Sequence, residues 1–376
     1  MFGKIMKCVF QALVVVLFVF QFSSSRAMGQ NSEDSILLSS LAASINSWTP
    51  IGNGLQGNVS SLVKKNGVIY AGGDFQVDGY GNFVNYVAMW DGNLWVPLGS
   101  GMDDYVFDLA LDNDGHLYAG GSFTTAGGVN ASRVAMWDGN NWSALGSGFD
   151  SYVGSLAVGE NGILYAGGNF TKSGAVDVNY IAQWDGTNWS PVGSGVNGPV
   201  NALATQGNDV YAGGLFSSAG LSGVNNIAKW DGVSWSALGS GTDNWVFDLT
   251  VDSKGYVYAG GSFNSAGDQI ASHIAMWDGN GWQAVGGGTN ANVRQLEIGP
   301  NDSLYVSGMF TQAGSVNVRY ISQWRDGNWH EIGDGLDNYV TALVVDEEGY
   351  VYAGGWFTKH VAYWSYFQVF LPLVLR

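Results

Sequence analysis

Three short signatures recur through this chain and restrict its fold more than any other feature. The first is Tyr-Ala-Gly-Gly-x-Phe, with its Tyr at 70, 118, 165, 211, 258, 305 and 352; the copy at Tyr305 departs as Val306-Ser307-Gly308. The second is a Trp in Ala-x-Trp-Asp-Gly or a close variant. It stands at 90, 137, 184, 230, 277, 324 and 364, so successive copies lie 47, 47, 46, 47, 47 and 40 residues apart. The third is Trp-x-x-(Leu/Val/Ile)-Gly, with its Trp at 48, 95, 142, 189, 235, 282 and 329. A self-similar period of this length marks a propeller or a solenoid, in which one unit cannot bury its apolar face alone.

Within each unit the segments are short, alternating and rich in Val, Tyr, Phe and Trp, with Gly, Asn and Asp between them. These are strand and hairpin signals. One unit reads as strand A at Val106–Leu111, B at Leu117–Phe123, C at Arg133–Trp137 and D at Trp142–Gly146. Four antiparallel strands make one propeller blade. Strand A starts seven times, at Val59, Val106, Val153, Val200, Val246, Val293 and Val340. The seventh unit stops after strand C, and Trp48–Gly52 stands ready as its missing strand D. The expectation is an all-β, seven-bladed propeller of four-stranded antiparallel blades over 48–364, closed by an N-terminal strand. Closure pairs edges that an open array would leave free. A rival closing strand is Phe367–Leu371, which lacks the Trp-x-x-Leu-Gly pattern.

The two ends have other characters. Met1–Phe22, with Lys4 and Lys7 before an apolar run and small residues up to Ala27-Met28-Gly29, reads as a signal peptide over 1–29. An uncleaved anchor is the alternative, but the run is short for a span. Cleavage would remove the only Cys, Cys8, and three positive charges. It would leave 11 positive against 31 negative groups, a net −20, where the full chain carries −17. An exported, thiol-free chain cannot be cross-linked and must rely on packing. The acidic balance repels phosphate backbones, so no nucleic-acid partner is expected. Residues 30–47 read as a linker or short amphipathic helix. The apolar tail at 365–376 is too short to cross a bilayer.

The Trp pairs, such as Trp137 and Trp142, are expected to fill the wedge between blades rather than to form a sugar-stacking platform. The Gly-Gly pairs end strand B and allow close backbone approach. No helix or Lys-Ser/Thr follows to make them a phosphate loop. Asp112-Asn113-Asp114-Gly115 reads as a turn, because position 12 of a calcium loop would be Phe123.

A strand ending Gly-Gly, a strand ending aromatic-Asp and then Trp-x-x-Leu resembles the Kelch-type propeller repeat. The longer pattern, Tyr-Ala-Gly-Gly-x-Phe, Ala-x-Trp-Asp-Gly, Trp-x-x-Leu-Gly-x-Gly and Val-x-x-Leu, is closer to the repeats of Rax2-type cortical cell-polarity proteins. The resemblance covers about Trp48–Trp364 and implies a propeller. It leaves function open, since Kelch-type propellers include adaptors and enzymes. The copper chemistry of galactose oxidase on a Kelch-like propeller needs a Cys, which the mature chain lacks.

Hairpin turns A–B and C–D share one face of a propeller, and the longer D–A and B–C connections share the other. Binding is expected on the variable face. Its candidate ligand residues lie in four D–A loops: Asp103, Asp104 and Tyr105; Asp150 and Tyr152; Asp243, Asn244 and Trp245; Asp337, Asn338 and Tyr339. Acidic and amide groups beside aromatic faces suit a sugar or a cation-rich partner, and the oxygens would suit Ca²⁺. The competing reading has Asp and Asn set the turns while the aromatics pack. The four His residues fall at unrelated places, so no catalytic residue and no metal centre is expected. Asp108 and Asp248 lie in strands A of the second and fifth blades, too far around the ring to act on one bond.

These readings lead to an exported, non-catalytic binding or scaffold module at the cell surface or outside the cell. Its partner would be a polysaccharide or a protein, and no cofactor is needed. The alternative is a secreted glycan hydrolase or lyase with its site on the D–A/B–C face.

Overall fold

Strand-forming residues dominate each unit, and the computed structural model, which describes residues 47–365, pairs them into seven four-stranded antiparallel sheets. In the second blade Val106–Leu111 pairs with Leu117–Gly121, which pairs with Val134–Trp137, which pairs with Trp142–Ala144. The expected strands B, C and D of this blade were longer. Two left-handed backbone positions explain the trimming of C and D: Arg133 (φ 72°) blocks extension before Val134, and Gly146 (φ 57°) ends the last strand. The one helical turn among the described residues is a 3-10 turn at Pro300–Asp302, in the A–B connection of blade six.

Each strand A packs beside strand A of the next blade, and Val340–Val345 packs beside Val59–Lys65, which closes the ring. The N-terminal segment completes the last sheet. Thr49 and Pro50 pair with Tyr363 and Ala362, so blade seven takes three strands from the end of the described chain and one from its start. The rival closing segment, Phe367–Leu371, lies outside the described residues, as do the signal, the amphipathic stretch at Gln30–Asn46 and the apolar tail.

The repeated signatures become one repeated interface. Each strand-D Trp donates its indole N–H to a carbonyl on the preceding blade's strand-D segment at 2.8–3.2 Å. The series runs Trp95 to Ile51, Trp142 to Leu98, Trp189 to Leu145, Trp235 to Val192, Trp282 to Leu238 and Trp329 to Gly286. Trp48 to Ile332 supplies the seventh bond across the closure. In blades one to six the strand-C Trp leans on its strand-D partner with ring centroids 5.2–5.6 Å apart. Its far edge covers the Gly of the preceding Leu-Gly, where a Cβ on Gly286 would stand 2.2 Å from the Trp324 ring. Large rings placed this way bury apolar surface at the seam while their N–H groups stay bonded.

The other signatures serve the same packing. The Phe of Gly-Gly-x-Phe is buried in every blade. A Cβ on the first Gly of the pair, Gly120, would meet Val153 Cγ1 of the next blade at 2.6 Å. In Trp-Asp-Gly, Asp138 Oδ1 accepts the N–H groups of Asn140 and Asn141 and shapes the C–D turn. Those bonds hold its carboxyl below the usual range.

Candidate functional site

The two long connections share one face, and they bond to each other there. Met102, Val196, Thr242 and Thr289 of the D–A loops bridge to Ala126, Ala219, Ala266 and Ala313 of the B–C connections, and Leu55–Gln56 pairs with Val77–Asp78. The B–C connections of blades two to six fold into small hairpins, such as Thr125–Ala126 with Val129–Asn130, which the repeat pattern did not announce.

The loop carboxylates build this scaffold. Asp103 Oδ1 accepts the N–H groups of Thr124 and Thr125, and its Oδ2 accepts the Thr124 hydroxyl. Asp150 does the same with Thr171 and Lys172, Asp243 with the N–H groups of Asn264 and Ser265, and Asp337 with Thr358. Asn197 and Asn290 do the same in blades four and six. Burial pushes the Asp103 carboxyl up, but the bonds from Thr124 and Thr125 outweigh it and hold it below its usual value. Asp104, Asn244 and Asn338 each accept the N–H of the aromatic residue that follows.

The aromatic candidates separate into two groups. Tyr152, Trp245 and Tyr339 line a central channel of about 1020 Å³. Tyr105 is outside the lining; it is 46% exposed and packs on Tyr86 and Phe107.

Most of the channel wall comes from a feature hidden in the sequence. Strand A carries a β-bulge in all seven blades, between its first and third residues. The extra residue has no cross-strand partner, and a bulge re-aims it. The seven extra residues are Ser60, Phe107, Gly154, Asn201, Phe247, Arg294 and Thr341, and all seven line the channel. Met309 and Trp356, the variable residue after the Gly-Gly position in two blades, add to the rim. Trp356 is 51% exposed. Aligning the repeats by column would have found these residues, because this is where the units stop matching.

In four blades the residue after the bulge (Ser61, Asp108, Ser155 or Asp248) links its blade to the next. Leu156 N–H donates to Asp108 Oδ2 at 2.7 Å, and the Ser61 hydroxyl donates to Asp108 Oδ1 at 2.8 Å. Leu296 N–H donates to Asp248 Oδ2 at 2.6 Å. Leu109 and Leu203 donate to the hydroxyls of Ser61 and Ser155 in the same way. Both carboxylates therefore bond backbone across a seam. Burial pushes Asp108 up to about 6 and Asp248 well above its usual value, against the N–H bonds that pull down. Glu297, deeper in the wall and not singled out in the sequence, is pushed up to about 8 by burial, while a bond from Val345 N–H opposes the rise.

Two cations reach the wall. Lys64 is engaged at the closure seam, where it pairs with Asp346 and bonds the Tyr352 hydroxyl at 3.0 Å. Arg294 lies over the Phe247 ring at 4.3 Å. On the opposite face Asp112, Asp114 and His116 converge within 4.8 Å in one A–B turn. There Asp112 already meets the His116 ring and the Tyr118 hydroxyl.

Comparison with known proteins supports the architecture. The model of the Rax2 C-terminal beta propeller domain matches residues 100–251, from the loop before blade two through strand A of blade five. Of the two resemblances read in the sequence, this is the one that a family model matches. No curated protein shows significant similarity to the chain. Similar solved structures include the WD40 beta propeller domain of Doa1, at 13% identity and a TM-score of 0.57, covering 85% of this chain and 96% of that one. The computationally designed Ika8 protein matches at 16% identity and a TM-score of 0.50, covering 84% and 99%. The extracellular domain of the putative hybrid two component system BT4673 from B. thetaiotaomicron matches at 11% identity and a TM-score of 0.56. The match covers 85% of this chain, which spans 40% of that domain. These likenesses are of fold.

Proposed function

We propose that this protein is an exported, non-catalytic binding propeller whose channel mouth, on the D–A/B–C face, holds a polysaccharide. One observation carries the reading: Tyr152, Trp245, Tyr339, Phe107, Phe247 and Trp356 gather around one pit of about 1020 Å³. Amide and hydroxyl groups from Asn58, Asn201, Gln295, Ser60 and Thr341 interleave with them. Flat apolar faces beside fixed polar groups match a sugar ring, which has apolar C–H faces and a hydroxyl edge. The pit is large enough for several linked rings. The loop aspartates act one layer out by fixing the backbone that presents the aromatics. Export rests on the charged and then apolar start at Met1–Phe22 and on the thiol-free chain that cleavage would leave.

A glycan array probed with the purified protein, with and without Ca²⁺, tests this. Binding to a defined glycan class, reduced at least tenfold by Trp245→Ala, is the expected result. Binding should not depend on Ca²⁺, because the loop carboxylates already accept backbone N–H groups. Silence across the array in both conditions would remove the carbohydrate reading in favour of a protein partner. Release of shortened products would move the assignment to an enzyme.

A further inference from the structure

Arg294 has no counterpart in the other six blades. The equivalent bulge residues are Ser, Phe, Gly, Asn, Phe and Thr, so the repeat does not require a cation there. Its guanidinium rests on the face of Phe247, and no protein carboxylate or carbonyl accepts its N–H groups among the described residues. The other cation on the wall, Lys64, is already paired with Asp346. An acidic chain of net −17 therefore places one unpaired planar cation in its channel, on the ring of Phe247, whose other neighbour is Trp245 at 6.3 Å between ring centroids.

The nearby acids are engaged elsewhere. Asp248 is bonded to Leu296 N–H, and Glu297 stands three residues further down the strand, about 10 Å deeper at ~3.3 Å per residue. Burial raises the pKa of both. Arg294 is exposed on the channel wall, within reach of an incoming ligand.

We infer that the mouth selects an acidic glycan end: a uronic acid whose carboxylate is forked by Arg294 while its ring lies against Trp245. This rests on the glycan reading above and narrows it. A guanidinium offers two parallel N–H donors that match a carboxylate, and an aromatic support pre-orients them. The rest of the protein argues for one carboxylate at a chain end rather than a polyanion laid across the face. With a net charge of −17, the surface repels a long run of negative groups.

Calorimetric titration at pH 7 and low salt supplies the test, using a panel of tetrasaccharides that end in galacturonate, glucuronate or mannuronate. Each is paired with its carboxyl-reduced, neutral counterpart. At least one acidic form should bind about ten- to a hundredfold tighter than its neutral partner, the worth of a charge-assisted pair. Arg294→Gln should abolish that preference while leaving the neutral affinity in place, and Arg294→Lys should keep part of it. An unchanged melting temperature for both variants confirms that the ring is intact. Equal binding of acidic and reduced sugars, or a preference that survives Arg294→Gln, overturns the inference and leaves the glycan reading standing. No binding by any sugar, together with a silent array, overturns the reading beneath it.

Discussion

The seams between blades and the wall of the channel are built by different strands of the same blades, and they follow opposite rules. At the seams one solution is used seven times, with an indole N–H from Trp48 through Trp329 reaching a carbonyl of the preceding blade. On the wall the seven bulge residues include two aromatics, one cation, one amide, two hydroxyls and a glycine. Repetition satisfies a requirement that every interface shares, namely the filling of a wedge between twisted sheets. Departure from repetition is tolerated where side chains face an open channel and no neighbour dictates their shape. In a tandem protein, the invariant columns therefore carry stability and the varying ones are where recognition can be placed.

The contrast can be broken most severely at a tryptophan. Trp142→Ala deletes a buried ring and its bond to Leu98, and should cost about 3–5 kcal/mol in chemical denaturation. Trp356→Ala, half exposed at the mouth, should fall within about 0.5 kcal/mol of the parent. Comparable losses at the two positions would erase the distinction. A smaller effect is expected at Gly120, where an added Cβ would press on Val153 of the next blade. Gly120→Ala should destabilise by about 1–3 kcal/mol, read as a lower denaturation midpoint at an unchanged slope.

The mildest test concerns the channel acids, which lie on the wall but serve the seams. Asp108 rises from its usual 3.8 to about 6 and Glu297 from 4.5 to about 8, so the native state favours their protonated forms. Stability from this source is full below about pH 4. It declines as pH climbs through 6 for Asp108 and through 8 for Glu297. Melting temperatures should therefore fall between pH 5 and 8. Asp108→Asn should flatten the lower part of that slope and Glu297→Gln the upper part. A melting temperature that rises over this interval would contradict the placement of both groups.

Much of this architecture was legible because its signals are local and repeated. The 47-residue spacing, the Trp pairs and the Trp48–Gly52 segment that completes the seventh blade could each be read from residue order. The lining of the channel was legible in part. Tyr152, Trp245 and Tyr339 reach the channel, whereas Tyr105 turns toward Tyr86 and Phe107. Phe107, Phe247, Arg294 and Glu297 went unnoticed because they sit inside strands that otherwise look like ordinary repeats. The loop carboxylates read in the sequence as candidate ligand oxygens, and in the fold they accept backbone N–H groups. Their bonds to residues about 21 positions later become visible only once the B–C connections have folded back onto the D–A loops.

Residue order was sufficient to specify the four strands of each blade, the number of blades and the partner of the last incomplete one, since periodicity and turn chemistry act over a few residues at a time. It was insufficient to say which side chains face the channel. A bulge is decided by how strand A meets strand B and the neighbouring blade. One unpaired residue there redirects a side chain that simple alternation along the strand would have placed on the other face.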